Sequence, residues 1–163
     1  MSAHDKSLIA EASQVVDDAL PIVVRDAEDS DAALWDQYLA TNPAACFYHL
    51  FGWRKIVRES LGLEPIYLIA SNGREVVGVL PLVYLKSRLF GRILCSMPFL
   101  NYGGPCASTD NALKRLTAAA VERAGQLGVD YLELRCAGAL PVELEAATHK
   151  VSMTIALNAD PDV

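Results

Sequence analysis

Residues 65–105 read PIYLIASNGREVVGVLPLVYLKSRLFGRILCSMPFLNYGGP. Two apolar runs, Ile66–Ala70 and Val76–Leu85, flank Ser71–Arg74. Asn72-Gly73 between them predicts a β-hairpin on a type I′ turn, whose two central residues both need positive φ. The second run is apolar throughout, so its strand is expected to be covered on both faces. Gly78 and Pro81 inside it predict a bulge or an edge position, because proline cannot donate to a ladder. A third strand, Ile93–Met97, follows the turn near Gly91. The stretch then opens into Asn101-Tyr102-Gly103-Gly104-Pro105, whose glycines let backbone approach a neighbour closely. A three-stranded meander ending in a glycine loop is thus the frame for the rest of the chain.

Working outward, Ile22–Val24 reads as a first strand. Asp29, Ser30 and Asp31 offer N-caps to a helix with Leu34, Trp35, Tyr38 and Leu39 on one stripe, ended by Asn42-Pro43. Cys46–Leu50 turns. Phe51–Leu61 reads as a second helix with Trp53, Ile56, Val57 and Leu61 inward and Arg54, Lys55, Arg58 and Glu59 outward, closed at Gly62. Beyond the glycine loop, Ser108–Asp110 cap a helix to about Gln126. Its apolar side is Leu113, Leu116, Ala120, Val121 and Ala124, and Gly128 ends it. Tyr131–Arg135 alternates as a strand, Ala137–Glu145 is a loop, and Val151–Leu157 is a last strand.

A chain of 163 residues suits one domain with a sizeable core. We read residues 1–20 as a loosely ordered lead-in and 21–163 as the domain. Its 52% apolar content leaves open a generous core or an apolar face meant for another domain or subunit. Asp160-Pro161 resembles a helix start, which predicts that the chain continues and that this is its N-terminal portion. The face of Val151, Met153, Ile155 and Leu157 would then be uncovered on an edge strand, so self-association, a homodimer included, is expected there.

A net charge of −6 argues against DNA, which needs a clustered basic surface. The longest apolar run is shorter than the roughly 20 residues a bilayer demands, and the start lacks a secretory pattern, so no transmembrane segment and a cytoplasmic location are expected. Cys46, Cys95, Cys106 and Cys136 are not at metal-ligand spacing, and neither are His4, His49 and His149. No metal site is expected, and the thiols read as reduced, buried, small apolar groups.

The order of elements predicts an α/β (α+β) fold, a mixed and mostly antiparallel sheet flanked by helices. Phe47-Tyr48-His49, Gly52-Trp53-Arg54, the run from Gly78 through Pro105, and Tyr131-Leu132-Glu133-Leu134-Arg135 resemble the FemAB-like branch of the GNAT acyltransferase superfamily. They are most similar to FemAB-related proteins associated with exosortase (PEP-CTERM) systems. The resemblance implies a GNAT-like sheet and a second GNAT-like domain in the same protein. It also implies transfer of an acyl or aminoacyl group to the amine of a small molecule, glycan or peptide, in exopolysaccharide or cell-envelope biosynthesis. An acyl-CoA or an aminoacyl compound is the donor class. The family's CoA loop carries Arg or Gln before its glycines. Here Asn101–Ser108 has the glycines without that lead, which puts CoA in doubt. The equivalent FemAB-like loop shapes a substrate channel, which suits Asn101, Tyr102, Gly103 and Gly104.

Glu133 and Arg135 share a strand face. They could receive an amine and an anion, with Glu133 as a general base, or form a structural ion pair. Tyr48 and His49 are candidates for the same cleft. Three readings follow: a catalytic N-acyltransferase half, a non-catalytic substrate-binding domain of the same fold, and a CoA-dependent N-acetyltransferase.

Overall fold

The computed structural model describes residues 20–89, 91–147 and 153. Strand β1 (Ile22–Asp26) leads through a 3-10 turn at Asp29–Asp31 into helix α1 (Ala32–Thr41). A second 3-10 turn, Phe47–His49, precedes α2 (Trp53–Glu59). The meander follows as β2 (Glu64–Asn72), β3 (Glu75–Ser87) and β4 (Gly91–Ser96). After the glycine loop come a two-residue strand β5 (Cys106–Ala107), helix α3 (Asp110–Leu127) and β6 (Tyr131–Glu133). The six strands form one sheet in the order β1-β2-β3-β4-β6, with β5 also on β3. Every pairing is antiparallel except β4 with β6. This is the mixed, mostly antiparallel sheet flanked by helices that the sequence predicts.

The apolar run of β3 is covered on both faces. On one side Leu68, Ala70, Leu80, Leu82 and Leu94 meet Ala112, Leu116, Ala120 and Ala124 of α3. On the other, Tyr67, Ile69, Val79 and Met97 meet Trp35, Tyr38, Leu39 and Phe51. Gly78 allows the first contact. A Cβ there would lie 2.8 Å from the Leu116 side chain and 3.2 Å from that of Ala107.

The hairpin turn is displaced by one residue from expectation. Asn72 pairs with Glu75, so Gly73 and Arg74 are the central residues. Gly73 takes φ +64°, while neither Asn72 nor Arg74 has positive φ, which is the pattern of type II′ rather than I′. Register decides this, because the facing pairs Leu68↔Leu80 and Ile69↔Val79 set which residues remain to turn. The anticipated bulge is present, at the register shift between Ala70 and Ser71 beside Gly78.

Pro81 stands in a central strand without breaking it. Its partner Tyr67 turns its carbonyl outward to accept the Ala27 N–H at 2.7 Å. Pro81 therefore faces away from β2, towards the other side of β3. There β5 pairs only as far as Val79 and β4 begins only at Leu82. The residue that lacks an N–H occupies a gap in the ladder.

Several expectations are corrected. α2 spans Trp53–Glu59, with Ile56 and Leu61 42% and 48% exposed, while the Arg54 side chain lies inward, over the Phe51 ring and paired with Asp29. On α3, Val121 is exposed and Ala112 and Thr117 are buried instead. Thr117 tolerates burial because its hydroxyl donates to the Leu113 carbonyl at 2.9 Å. β6 ends at Glu133, two residues early. Thr109 caps α3 by accepting the Ala112 N–H, and Gly128 closes it at φ 59°. The lead-in before Leu20 and the helix start at Asp160 lie outside the described residues. So does the strand Val151–Leu157, apart from Met153, which is exposed. Among the described residues no helix is long and apolar enough to cross a membrane.

Candidate functional site

The segment Met97–Pro105 leaves the sheet at the gap beside Pro81, between the end of β4 and the start of β5. Its backbone is unusual. Met97 and Phe99 have φ of 44° and 71°, and Gly103 has φ 120°. Non-glycine residues in that region cost about 1–3 kcal/mol each, so the surrounding contacts must hold them.

Two clamps do so. The first comes from the 3-10 turn before α2. The Cys46 N–H donates to Nδ1 of His49 at 3.0 Å. Nδ1 therefore carries no proton, and Nε2–H donates to the Gly104 carbonyl at 2.9 Å. The His49 carbonyl in turn accepts the indole N–H of Trp35 at 2.8 Å, tying the clamp to the core. The second clamp is the chain after β6. The Arg135 carbonyl accepts the Gly104 N–H at 2.8 Å, and the Arg135 N–H donates to Ser96 Oγ at 2.7 Å. The Arg135 guanidinium donates to the Leu100 carbonyl at 2.7 Å and to Glu133 at 2.9 Å. Gly104 lies so close to this segment that a Cβ would sit 2.6 Å from Cys136 Sγ and 2.9 Å from the Arg135 carbonyl oxygen.

The structure thus brings together Tyr48, His49, Asn101, Tyr102, Gly103, Gly104, Glu133 and Arg135, residues up to 87 positions apart in sequence (135 − 48). Their exposure divides them. His49 is buried with both ring nitrogens engaged, and Gly103 and Gly104 are buried. Glu133 and Arg135 form an ion pair at 2.9 Å. Burial works against the Arg135 charge, but the contributions of Glu133 and Cys95 together outweigh it and hold the guanidinium above its usual value. The loop presents outward the exposed Phe99 and Asn101 and the half-buried ring of Tyr102, whose centroid lies 6.2 Å from that of Tyr48 in the 3-10 turn. Phe47, 64% exposed, packs edge-on to Tyr48 and Trp53 and widens this aromatic surface. Sequence reasoning missed Met97 and Phe99, whose positive φ has no residue-type signal. It also missed the exposed position of Cys46.

A CoA pyrophosphate needs several free backbone N–H groups at a loop and helix start. Here the Gly104 N–H is bonded to Arg135 and that of Ser108 to Val77, while Pro105 has none. Thr109 takes the Ala112 and Leu113 N–H groups, and Asp110 places a carboxylate in the first turn of α3. The residues present do not fit a diphosphate anchor. Among the described residues no three His, Cys, Asp or Glu side chains group as a metal site.

No family model and no curated protein sequence matches this chain. Solved structures do. A transcriptional regulator from Bacillus halodurans C-125 superposes with TM-score 0.59 at 16% identity, over 83% of this chain and 100% of that one. A GNAT family acetyltransferase from Staphylococcus aureus subsp. aureus USA300_TCH1516 gives TM-score 0.48 at 12% identity, over 81% and 98%. What is shared is the fold. Identity this low carries neither activity nor ligand across, and the second superposition is too loose to argue from.

Burial pulls His49 below its ordinary value of 6.5, while its bond to the Gly104 carbonyl opposes the shift. A proton on Nδ1 would face the Cys46 N–H, donor against donor. A depressed folded-state value contributes stability that is complete above 6.5 and is lost as pH falls through the folded value. Urea unfolding between pH 8 and pH 5 is therefore expected to show the chain weakening on the acid side. His49→Gln, which does not titrate, should flatten that fall; equal slopes in both proteins would refute the assignment.

Proposed function

We propose that this chain is an N-acyltransferase-like domain that holds the amine-bearing acceptor while an acyl or aminoacyl group is transferred to it. In this reading it is the N-terminal half of a FemAB-related cytoplasmic protein serving exopolysaccharide or envelope biosynthesis. A second GNAT-like domain supplies the donor side. The observation that carries the reading is the clamped loop in the sheet gap. The Gly104 N–H and carbonyl are both bonded, to Arg135 and His49, while Phe99 and Asn101 are exposed and the rings of Tyr48 and Tyr102 are half-buried beside them. Aromatic faces beside an amide suit a sugar or peptide better than a diphosphate. Any transfer then proceeds by direct attack of the acceptor amine on the donor carbonyl. The free amine nitrogen forms the new bond, the donor's leaving group departs with the displaced electron pair, and the surplus proton on nitrogen goes to that leaving group. Glu133, paired with Arg135, is the carboxylate of this cluster that would take the proton an ammonium acceptor must lose before it attacks.

The test is a thermal-shift and calorimetric series with acetyl-CoA, amino sugars and short peptides bearing a free amine. Stabilisation by an amine-bearing ligand, lost in Tyr48→Ala and Tyr102→Ala, is the expected result. Binding of acetyl-CoA alone, with turnover on addition of an amine, would overturn it in favour of a CoA-dependent acetyltransferase.

A further inference from the structure

The hairpin of β3 and β4 reaches past the rest of the sheet. The last β2 pair is Glu64↔Tyr84, and β6 begins opposite Ile93. Lys86 and Arg92 therefore pair on a ribbon of two strands only. Residues 85–87, at roughly 3.3 Å each, carry the turn about 10 Å beyond that last β2 pair. Lys86 and Arg92 stand directly opposite, where like charges oppose pairing. Arg88 follows in the turn, and all three cations are exposed. None forms an ion pair with a described carboxylate. Asp130 takes the Arg92 backbone N–H at 2.7 Å, and the Arg92 guanidinium lies against Gly128 at the end of α3. Among the described residues no hydrogen bond or ion pair reaches the side chain of Lys86 or Arg88. Leu89, 82% exposed, stands among these cations, with its N–H donating to Ser87 Oγ at 3.1 Å. This gathers positive charge on one projection of a chain whose net charge is −6.

We infer that this tip is a docking surface for an anionic lipid bilayer. Lys86, Arg88 and Arg92 meet the headgroup anions, and Leu89 enters between the headgroups. The projection makes the local charge effective. At physiological salt the Debye length is about 8 Å, so a surface that meets the turn is largely screened from the acidic body behind it. Each cation held near such a surface strengthens partition about fivefold, and three together roughly a hundredfold. Attachment is therefore weak, reversible and sensitive to salt. A nucleic acid would use the charges and leave Leu89 without a role. An apolar side chain among cations is the combination that a bilayer interface takes up. β4 runs from this tip at Gly91 to Ser96, where the clamped loop begins, so a docked tip leaves that loop free at the other end of the strand. The inference is independent of which acceptor the loop holds.

The full chain is sedimented with vesicles of phosphatidylcholine alone, and with vesicles of phosphatidylcholine and phosphatidylserine mixed at about three to one. Binding to the mixed vesicles only, weakening as salt rises, is the expected result. The triple variant Lys86→Gln, Arg88→Gln, Arg92→Gln should lose roughly a hundredfold in partition with an unchanged circular dichroism spectrum. Leu89→Ser should lose severalfold, because only entry into the bilayer uses that side chain. Equal binding to both kinds of vesicle, binding to neither, or full binding by a folded triple variant would overturn the inference. So would a Leu89→Ser protein that binds the mixed vesicles as well as the parent; the tip would then recognise anions alone, such as the phosphates of a nucleic acid. Should the triple variant fail to fold, Arg88→Gln decides, since it alters one exposed side chain of the turn. It is expected to lose about fivefold, and no loss would count against the bilayer.

Discussion

Trp35→Ala is expected to lower the unfolding free energy by about 3–5 kcal/mol, the range for deleting a large aromatic from a packed core. Trp35 is fully buried. Its ring stacks on Tyr67 at 5.2 Å and meets Phe51 edge-on at 5.5 Å, so truncation removes contacts on two sides at once. The indole N–H also satisfies the His49 carbonyl at 2.8 Å, and losing it leaves a buried acceptor unpaired. Few domains have more than about 5–15 kcal/mol to lose, so the variant should be partly unfolded at 37 °C. Urea titration followed by circular dichroism checks this. Trp35→Phe separates the two terms, since it keeps much of the ring but not the N–H, and should fall between parent and alanine variant. A midpoint for Trp35→Ala within error of the parent would show that the α1–sheet layer is not packed as described.

The sequence made the middle of this fold readable because its signals there are local and repeated. Two long apolar runs about a turn can pair in only a few ways, and burial of β3 on both faces followed from its unbroken apolar character. The exact turn was not readable, because the register that moved it from Asn72-Gly73 to Gly73-Arg74 belongs to facing pairs such as Leu68↔Leu80. Helix faces were readable only to the nearest side chain. Val121 and Thr117 are four apart on one helix, and the polar one is buried because its hydroxyl bonds its own backbone. β5 is two residues long and shows no periodicity, so only the structure reveals the gap at Pro81 that it borders.

The candidate site was legible as a set of residues and not as a set of roles. Glycines, tyrosines and a Glu-x-Arg pair can be picked out one by one. Which of them face outward depends on bonds between distant segments, His49 to Gly104 and Arg135 to Leu100. No local pattern reports a contact across 55 residues (104 − 49). The same holds for Cys46. Its spacing gave no metal signal, and its exposure comes from the 3-10 turn that follows it.

Gly103→Ala is the substitution expected to damage the loop most. At φ 120° the backbone is in a region that side chains avoid, which costs about 1–3 kcal/mol. The added methyl would also lie 2.8 Å from the Met97 Cβ and 2.6 Å from its Cγ. The Met97 Cβ sits on a buried backbone with positive φ and cannot swing away as the end of a flexible side chain would. Overpacking of that kind adds about 1–3 kcal/mol. The two together place the loss at about 2–6 kcal/mol, unless the loop relieves it by releasing Gly104 from His49 and Arg135. In that event global stability falls less, but amide exchange at Gly104 accelerates, and any ligand response that depends on Tyr48 and Tyr102 disappears. Gly125→Ala is the control. Gly125 lies in α3 with nothing within 4 Å of a Cβ, so alanine there should raise stability by about 0.5–1 kcal/mol. Equal urea midpoints and equal Gly104 exchange rates in parent and Gly103→Ala would mean that the loop is not held in the conformation on which the site depends.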